Sequence, residues 1–304
     1  ALLLTPRICG VCPTSHSLAA SHALDDAFQA EVPPNAHLLR SILLGTENTM
    51  SHATHFFALF GPDLVNPKYA AHPAYPELEK RFAPLAGTSY LEAVKTRVKL
   101  DEVFAIFGGQ HPHSNVFVPG GVTFVPQISD ITKAFTILLD VQDFVEGAIL
   151  GGSAERWLEN RSLADVQQWM GEGSHENSDL GLFIRYGQEL GLNELGKGPG
   201  RFIAYGAYAQ ADGDPWLKSG YFDGKTNPFE QDKIAEEVKH SWYQDYDGGK
   251  HPSQGETVPM LDRGGQKYSY AKSPRYGGKA VEVGPLARMV NDADPLVLDP
   301  ATQL

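Results

Sequence analysis

Cysteine is almost absent from this sequence, because its 304 residues contain two, Cys9 and Cys12. Two cysteines cannot build the disulfide framework of a small secreted domain, and a chain of this length can bury a core without one. Long apolar runs are also missing, since no stretch approaches the roughly 20 residues that a membrane-spanning helix needs. The sequence therefore predicts neither a disulfide-stapled domain nor a direct membrane span.

Positive charge is in deficit. Lys and Arg number 25 against 37 Asp and Glu, giving a formal net charge of -12. Binding to nucleic acid requires clustered cations on the protein surface, so the composition predicts no nucleic-acid partner. Hydrophobic residues make up 42% of the chain and charged residues 20%, which is typical of a compact globular protein.

The chain lacks the features of a natural start. It begins "ALLLTPRIC", without an initiator methionine or the charged segment of a signal peptide. It stops after "DPLVLDPATQL" with no obvious closing helix. We therefore expect residues 1–304 to form a single domain that is an internal fragment of a larger subunit, without either native end.

Apolar residues recur at helical spacing through most of the chain. The pattern predicts helices over residues 14–28, 33–61, 91–106, 126–150, 178–191 and 283–290. In the helix after Pro126, the predicted apolar stripe contains Ile131, Phe135, Leu138, Leu139 and Phe144. Residues 201–259 carry aromatics, glycines and aspartates at short intervals, which favours hairpins. The expected fold is α+β and helix-dominated, with long core helices and a loop-rich β layer.

The segment "RICGVCPTSH", residues 7–16, holds both cysteines directly before a predicted helix. A CxxC at a helix N-terminus occurs in thioredoxin-type redox proteins, but the βαβ pattern expected around it is missing. Buried free cysteines often do no more than pack in a core. The third interpretation is a metal site, because two thiolates three residues apart can point at one soft or borderline metal ion.

A closed metal site needs ligands beyond these two thiolates. The chain has no second CxxC, and only two pairs of its eleven histidines are closely spaced, His52 with His55 and His111 with His113. His52 and His55 lie three residues apart on a predicted helix and can share a face. A zinc-binding structural module with Cys9, Cys12 and two histidines as ligands therefore stays open at this point.

Three ordered segments resemble the large, catalytic subunit of nickel-iron hydrogenases. "RICGVCPTSHSLAASHALDDAFQAEVPPNAHLLRSILLG" resembles the family's RxCGxCxxxH signature with the helix and "PPNA" that follow it. "GGQHPHSNVFVPGGVT" and "YAKSPRYGGKAVEVGPLARMV" resemble two later family segments. These segments span residues 7 to 290, so the resemblance covers nearly the whole chain and is far more specific than a lone CxxC.

The resemblance implies a role for each residue of the first segment. Cys9 matches a terminal nickel ligand, and Cys12 matches a thiolate that bridges nickel to an iron carrying CO and cyanide. His16 matches a residue that hydrogen-bonds the bridging sulfur and tunes the metals without ligating them. Arg7 is expected beside the metals, where its charge would help to keep the thiolates ionised.

The family completes its centre with a second cysteine pair, which we expect outside this chain. The implied activity is the reversible oxidation of H2 to protons and electrons, with an iron-sulfur small subunit as electron-carrying partner. His113 is expected near the face on which that subunit docks, and no role is assigned to His111. The main alternative within the same fold is a quinone-reductase scaffold subunit of the complex I type, although such a scaffold has no need of two activated thiols.

One position departs from many respiratory members of the family. They carry an Asp before the helical His, whereas this chain reads Met50-Ser51-His52, so an acidic role at Ser51 cannot be transferred. The sequence at these positions is closer to that of uptake or group-two-like members of the family. A cytoplasmic location, or association with a membrane through partners, is favoured, and a periplasmic location is compatible with the sequence.

Overall fold

The computed structural model describes residues 1–262 and 265–299 and has the helix-dominated α+β fold predicted from the sequence. The α-helices are α1 (Pro13–Phe28), α2 (Pro34–Thr54), α3 (Gly61–Leu64), α4 (Tyr75–Phe82), α5 (Thr88–Gly108), α6 (Ile128–Phe144), α7 (Ala154–Leu158), α8 (Leu163–Met170), α9 (Asp179–Glu189) and α10 (Pro285–Asn291). The described strands are β1 (Phe117–Val118), β2 (Gly121–Val122), β3 (Arg201–Ala209), β4 (Pro215–Asp223), β5 (Thr226–Asn227), β6 (Ile234–Glu237) and β7 (Ser273–Tyr276). Among the described helices, none is long and apolar enough to cross a membrane.

The contacts divide the chain into two compact units. The first contains Ala1–Asn160, Ala164–Leu190 and Tyr208–Trp216. The second contains Arg161–Leu163, Gly191–Ala207 and the described residues from Leu217 onward. The prediction that residues 1–304 form a single domain stays a prediction.

Three long helices build the core of the first unit, with α5 packed against both α2 and α6. Fully buried leucines and phenylalanines fill the space between them, among them Leu43, Leu100 and Phe104. Two of the helices continue as π-helical turns, α2 into His55–Phe60 and α6 into Val145–Leu150. The sequence pattern predicts both long segments, but not the change of helix type within them.

Helix α6 buries a different face from the one predicted. Its core side is formed by Ala134, Ile137, Val141 and Phe144. The other members of the predicted apolar stripe are exposed: Ile131, Phe135, Leu138 and Leu139. The prediction was wrong because α6 carries apolar residues on both sides, so periodicity alone does not identify the side that faces α5.

A buried arginine joins α1, α2 and the β1–β2 hairpin. Arg40 of α2 is 1% exposed, and its Nη1 donates to Asp25 Oδ2 of α1 at 2.6 Å. Its Nη2 donates to the carbonyls of Val118 and Gly121 at 2.7 and 2.9 Å. Burial would raise the pKa of Asp25, but the hydrogen bond and charge of Arg40 and the amide of Gly120 together lower it. Asp25 is thus a carboxylate at neutral pH.

We expect Arg40→Met to lower the free energy of unfolding by about 3 kcal/mol, because it leaves the largely buried Asp25 carboxylate without its charged partner. Chemical denaturation measures this loss. Lys99→Met is the control, since the pair of Lys99 and Asp140 is largely exposed and contributes at most about 1 kcal/mol. The stability that the lowered pKa of Asp25 provides is present at neutral pH and lost as the pH falls through that pKa. The loss of unfolding free energy in Arg40→Met should therefore become smaller in acid. A loss at neutral pH no larger than that of Lys99→Met would contradict a stabilising role of the Arg40–Asp25 pair.

The second unit holds most of the β structure, as predicted for residues 201–259. Strands β3, β4 and β5 are neighbours in one sheet, and β6 pairs antiparallel with β7. A small core forms where Phe202 of β3 meets Ala287 and Val290 of α10. The final predicted helix is confirmed as α10.

Candidate metal centre

Cys9 and Cys12 lie in the short loop between the 3-10 turn Thr5–Arg7 and helix α1. Cys12 is the N-cap residue of α1, and its backbone N–H donates to Cys9 Sγ at 3.3 Å. Pro13 occupies the first helical position, where its missing N–H costs no hydrogen bond. The structure confirms that the CxxC sits directly before a helix N-terminus, where backbone amides favour thiolate.

The pKa values of the two thiols shift in opposite directions. A hydrogen bond from the Cys12 thiol is the largest cause that lowers the pKa of Cys9, and the amides of Val11 and Cys12 contribute as well. Burial is the largest cause that raises the pKa of Cys12 to about 12, with contributions from the neighbouring Cys9 sulfur and the charge of Glu47. Without metal, Cys9 is therefore the sulfur that ionises first, with Cys12 as its hydrogen-bond donor. A metal ion bound by both sulfurs would displace the remaining proton.

A buried glutamate with no role predicted from the sequence fixes this loop. Glu47 of α2 is 1% exposed, and its carboxylate accepts hydrogen bonds from the backbone N–H groups of Thr14 at 2.6 Å and Ser15 at 2.8 Å. The Ser15 hydroxyl donates to it at 2.6 Å. A side chain at the N-cap usually accepts from these amides, but Cys12 does not. Glu47 therefore takes over that function, which leaves the sulfur of Cys12 available as a ligand.

A signal for Glu47 was present in the sequence. Leu39, Leu43 and Met50 are buried on one stripe of α2, and position 47 continues that stripe four residues after Leu43. A glutamate on a core-facing stripe needs hydrogen-bond donors to offset its loss of hydration. The pattern thus predicts a buried, partnered carboxylate, but it does not show that the partner is the CxxC loop.

The donor set fits half of a thiolate-rich metal centre. Cys9 and Cys12 supply two soft sulfur ligands, which suit nickel or iron. Across residues 1–262 and 265–299, no group of three or more His, Cys, Asp or Glu side chains is placed to hold a metal ion. The closed zinc site considered from the sequence, with two histidines completing the pair, is thus not assembled by these residues.

The two supporting residues of the motif are close in sequence but differ in surroundings. His16 lies on the first turn of α1, with its backbone N–H on the Cys12 carbonyl, and its ring is partly buried. Arg7 is exposed, and its guanidinium donates to the Leu3 carbonyl. The predicted hydrogen bond from His16 to the bridging sulfur and the place of Arg7 beside the metals both stay predictions.

The remaining histidine candidates occupy other surroundings. His52 lies in the wall of an apolar cavity of about 600 Å³, and the ring of His55 stacks on Phe60. His111 contacts Asp101 of α5, and His113 adopts a left-handed backbone conformation with φ 68°. None of these four side chains joins the cysteine pair in a group of three ligands among the described residues.

The sequence profile described as nickel-dependent hydrogenase matches residues 1–83 and 64–295 of this chain. Together the two matched ranges reach from the CxxC loop to α10. The chain belongs to the nickel-dependent hydrogenase family. This membership confirms the resemblance found in the three sequence segments.

Individual relatives agree with the family assignment. The chain is 33% identical to the periplasmic [NiFeSe] hydrogenase large subunit of Desulfomicrobium baculatum, over 94% of this chain and 53% of that protein. It is 28% identical to the uptake hydrogenase large subunit of Rubrivivax gelatinosus, over 93% of this chain and 56% of that protein. The chain thus spans about half the length of these curated relatives.

Solved structures show the same fold. A reduced, active form of the Ni-Fe-Se hydrogenase from Desulfomicrobium baculatum superposes with a TM-score of 0.76 and 30% identity, over 96% of this chain and 57% of that one. The reduced Ni-Fe-Se hydrogenase from D. vulgaris Hildenborough gives a TM-score of 0.73 and 31% identity, over 96% of this chain and 56% of that one. The predicted hydrogenase large-subunit fold is confirmed.

Proposed function

We propose that this chain supplies Cys9 and Cys12 as two sulfur ligands of a nickel-iron centre that oxidises H2 reversibly to protons and electrons. The observation that carries the proposal is the CxxC at the start of α1 in a chain of the nickel-dependent hydrogenase family. Following the resemblance, Cys9 is a terminal nickel ligand and Cys12 bridges nickel to an iron with CO and cyanide ligands. A second cysteine pair from outside this chain completes the set.

When bound, the two metals supply the site at which H2 is split and electrons are taken up. The residues of this chain contribute position and charge. Cys9 and Cys12 bring two anionic sulfurs to one place, because the Cys12 amide and the first turn of α1 fix the loop between them. Glu47 holds that turn from α2, so the sulfurs are preorganised on packed helices of the first unit.

We further propose an iron-sulfur small subunit as the electron-carrying partner. A cluster of the common type requires four cysteine thiolates, and this chain has only the two that we assign to the metal centre. Electrons must therefore leave through groups that these 304 residues do not hold. The neutral Ser51 supports an uptake or group-two-like member, and a cytoplasmic or partner-anchored location remains part of this proposal.

The test is hydrogen-dependent reduction of a redox dye by the protein isolated with its copurifying partners from nickel-supplied cells. The proposal predicts dye reduction that requires H2 and disappears under argon. Protein from cells grown without nickel is the matched control and should be inactive. A nickel-supplied preparation that reduces a quinone but shows no hydrogen-dependent activity would favour the complex I-type scaffold instead.

A further inference from the structure

A histidine in the first unit is paired with a carboxylate on one side and has no partner on the other. His111 lies in the loop after α5, with its side chain 3% exposed. Its Nδ1 is 3.0 Å from Asp101 Oδ1 of α5, although the two atoms lack the alignment of a full hydrogen bond. The ring packs on Phe104 with centroids 4.4 Å apart. Phe104 thus packs against the plane of the imidazole, and the Asp101 carboxylate lies next to its Nδ1 edge.

Nε2, the other ring nitrogen of His111, differs from Nδ1 because no charged group of the described residues pairs with it. Nε2 of His111 is buried and has no hydrogen-bond partner among the described residues. Burying a polar atom without a partner costs about 1–3 kcal/mol, so a protein gains nothing in stability from this arrangement. With Asp101 facing Nδ1, the tautomer with its proton on Nδ1 is favoured, and Nε2 then carries a lone pair. A neutral imidazole with a carboxylate next to Nδ1 and a free lone pair on Nε2 can act as a general base.

Three charged groups act on His111, two from α5 and one from α2. Burial is the largest cause that lowers the pKa of His111, and the charge of Arg97 lowers it further. The carboxylates of Asp101 and Glu47 act in the opposite direction without reversing the shift. The imidazole is therefore neutral at pH 7 and able to accept a proton.

Glu47 relates this histidine to the cysteine pair. Its carboxylate is bonded to the first turn of α1, and its charge acts on Cys9 and Cys12 as well as on His111. Asp101, which lies next to Nδ1 of His111, has a side chain that is 32% exposed. Glu47 thus interacts electrostatically with both the cysteine pair and His111, and Asp101, on the far side of His111, is partly open to solvent.

We propose that His111, oriented by Asp101, carries protons between the centre at Cys9 and Cys12 and solvent. Nε2 takes up a proton released at the centre, Asp101 stabilises the resulting imidazolium, and the Nδ1 proton passes to the Asp101 carboxylate and on to water. One proton leaves for each that enters, and no electron moves. This role rests on the proposed function, because only a reaction that releases protons at the cysteine pair requires it.

The test compares His111→Gln and Asp101→Asn with wild type in the metal-loaded protein, by measuring hydrogen-dependent dye reduction as a function of pH. A base must be neutral to accept a proton. The wild-type rate should therefore rise with pH as His111 loses its proton, and this rising limb of the pH profile should lie below the ordinary pKa of histidine. His111→Gln should lose this limb and turn over about 100-fold more slowly at neutral pH. His175→Gln is the control, because His175 is also buried and stacked on an aromatic ring, but its Nδ1–H donates to the Leu150 carbonyl at 2.7 Å.

Two further readouts separate the possible failures. Infrared difference spectra between hydrogen and argon should show a protonated carboxyl band that shifts in heavy water and disappears in Asp101→Asn. Nickel and iron content should be unchanged in both variants. If His111→Gln has normal metal content and keeps the wild-type rate and pH profile, only the role of His111 is overturned. If wild-type protein from nickel-supplied cells contains no nickel, the proposed function itself is contradicted.

Discussion

Replacing Cys12 by serine is expected to abolish hydrogen-dependent dye reduction and to remove nickel and iron from the protein. The reason is ligand chemistry, because a serine hydroxyl is a hard, weakly acidic donor and cannot bridge two metals as a thiolate does. The helix itself should persist. Glu47, and not the side chain of Cys12, accepts the hydrogen bonds at the start of α1. Metal content and dye reduction of the variant measure the effect, and circular dichroism checks the fold.

His16→Gln is the comparison for this experiment. A residue that supports the sulfur without binding metal should cost roughly 10- to 100-fold in activity and leave the metals in place. Near-normal activity in Cys12→Ser would show that Cys12 is not a ligand. Complete metal loss in His16→Gln would show that His16 does more than support the sulfur.

Replacing Glu47 by leucine should also impair metal loading, although Glu47 binds no metal in this account. The variant keeps the size of the side chain but removes the acceptor for the amides of Thr14 and Ser15. The first turn of α1 then loses its anchor on α2, and the two sulfurs are no longer held together. Residues that position metal ligands without binding the metal typically contribute 10- to 100-fold to metal affinity or activity. Nickel occupancy at limiting nickel should therefore fall by about that factor.

Glu146→Leu is the matched control for Glu47→Leu. Glu146 also accepts a backbone N–H at the start of a helix, from Ala154 of α7, but that helix carries no cysteine. Its loss should lower stability without changing nickel occupancy. Equal nickel occupancy in Glu47→Leu and wild type would rule out a positioning role for Glu47.

The sequence was most informative where local signals agree with packing. The CxxC before α1, the proline that opens the helix and the apolar spacing of α2 each predict the same local structure, and all are present. The loop-rich β layer after Arg201 was predicted from glycines and aromatics for the same reason. Identification of Cys9 and Cys12 as a pair needs only their spacing, since neighbours three residues apart meet in a turn.

The sequence was least informative where distant residues decide the outcome. The interaction of Glu47 with Thr14 joins positions 33 residues apart, and periodicity shows only that position 47 is buried. The core face of α6 depends on how α5 packs against it, which is why Ile131 and Phe135 are exposed instead of buried. The contact between His111 and Asp101 depends on the path of the loop that follows α5, which the spacing of the residues does not determine.

In the proposed centre, Cys9 and Cys12 bind a nickel-iron pair. The most direct measurement is the metal content of the purified protein with its copurifying partners, by elemental mass spectrometry on wild type and the Cys9→Ser/Cys12→Ser double variant. Wild type should contain nickel, together with iron beyond that of the partner's iron-sulfur clusters, and both should be missing from the double variant. Zinc in place of nickel, or nickel that persists in the double variant, would contradict this assignment.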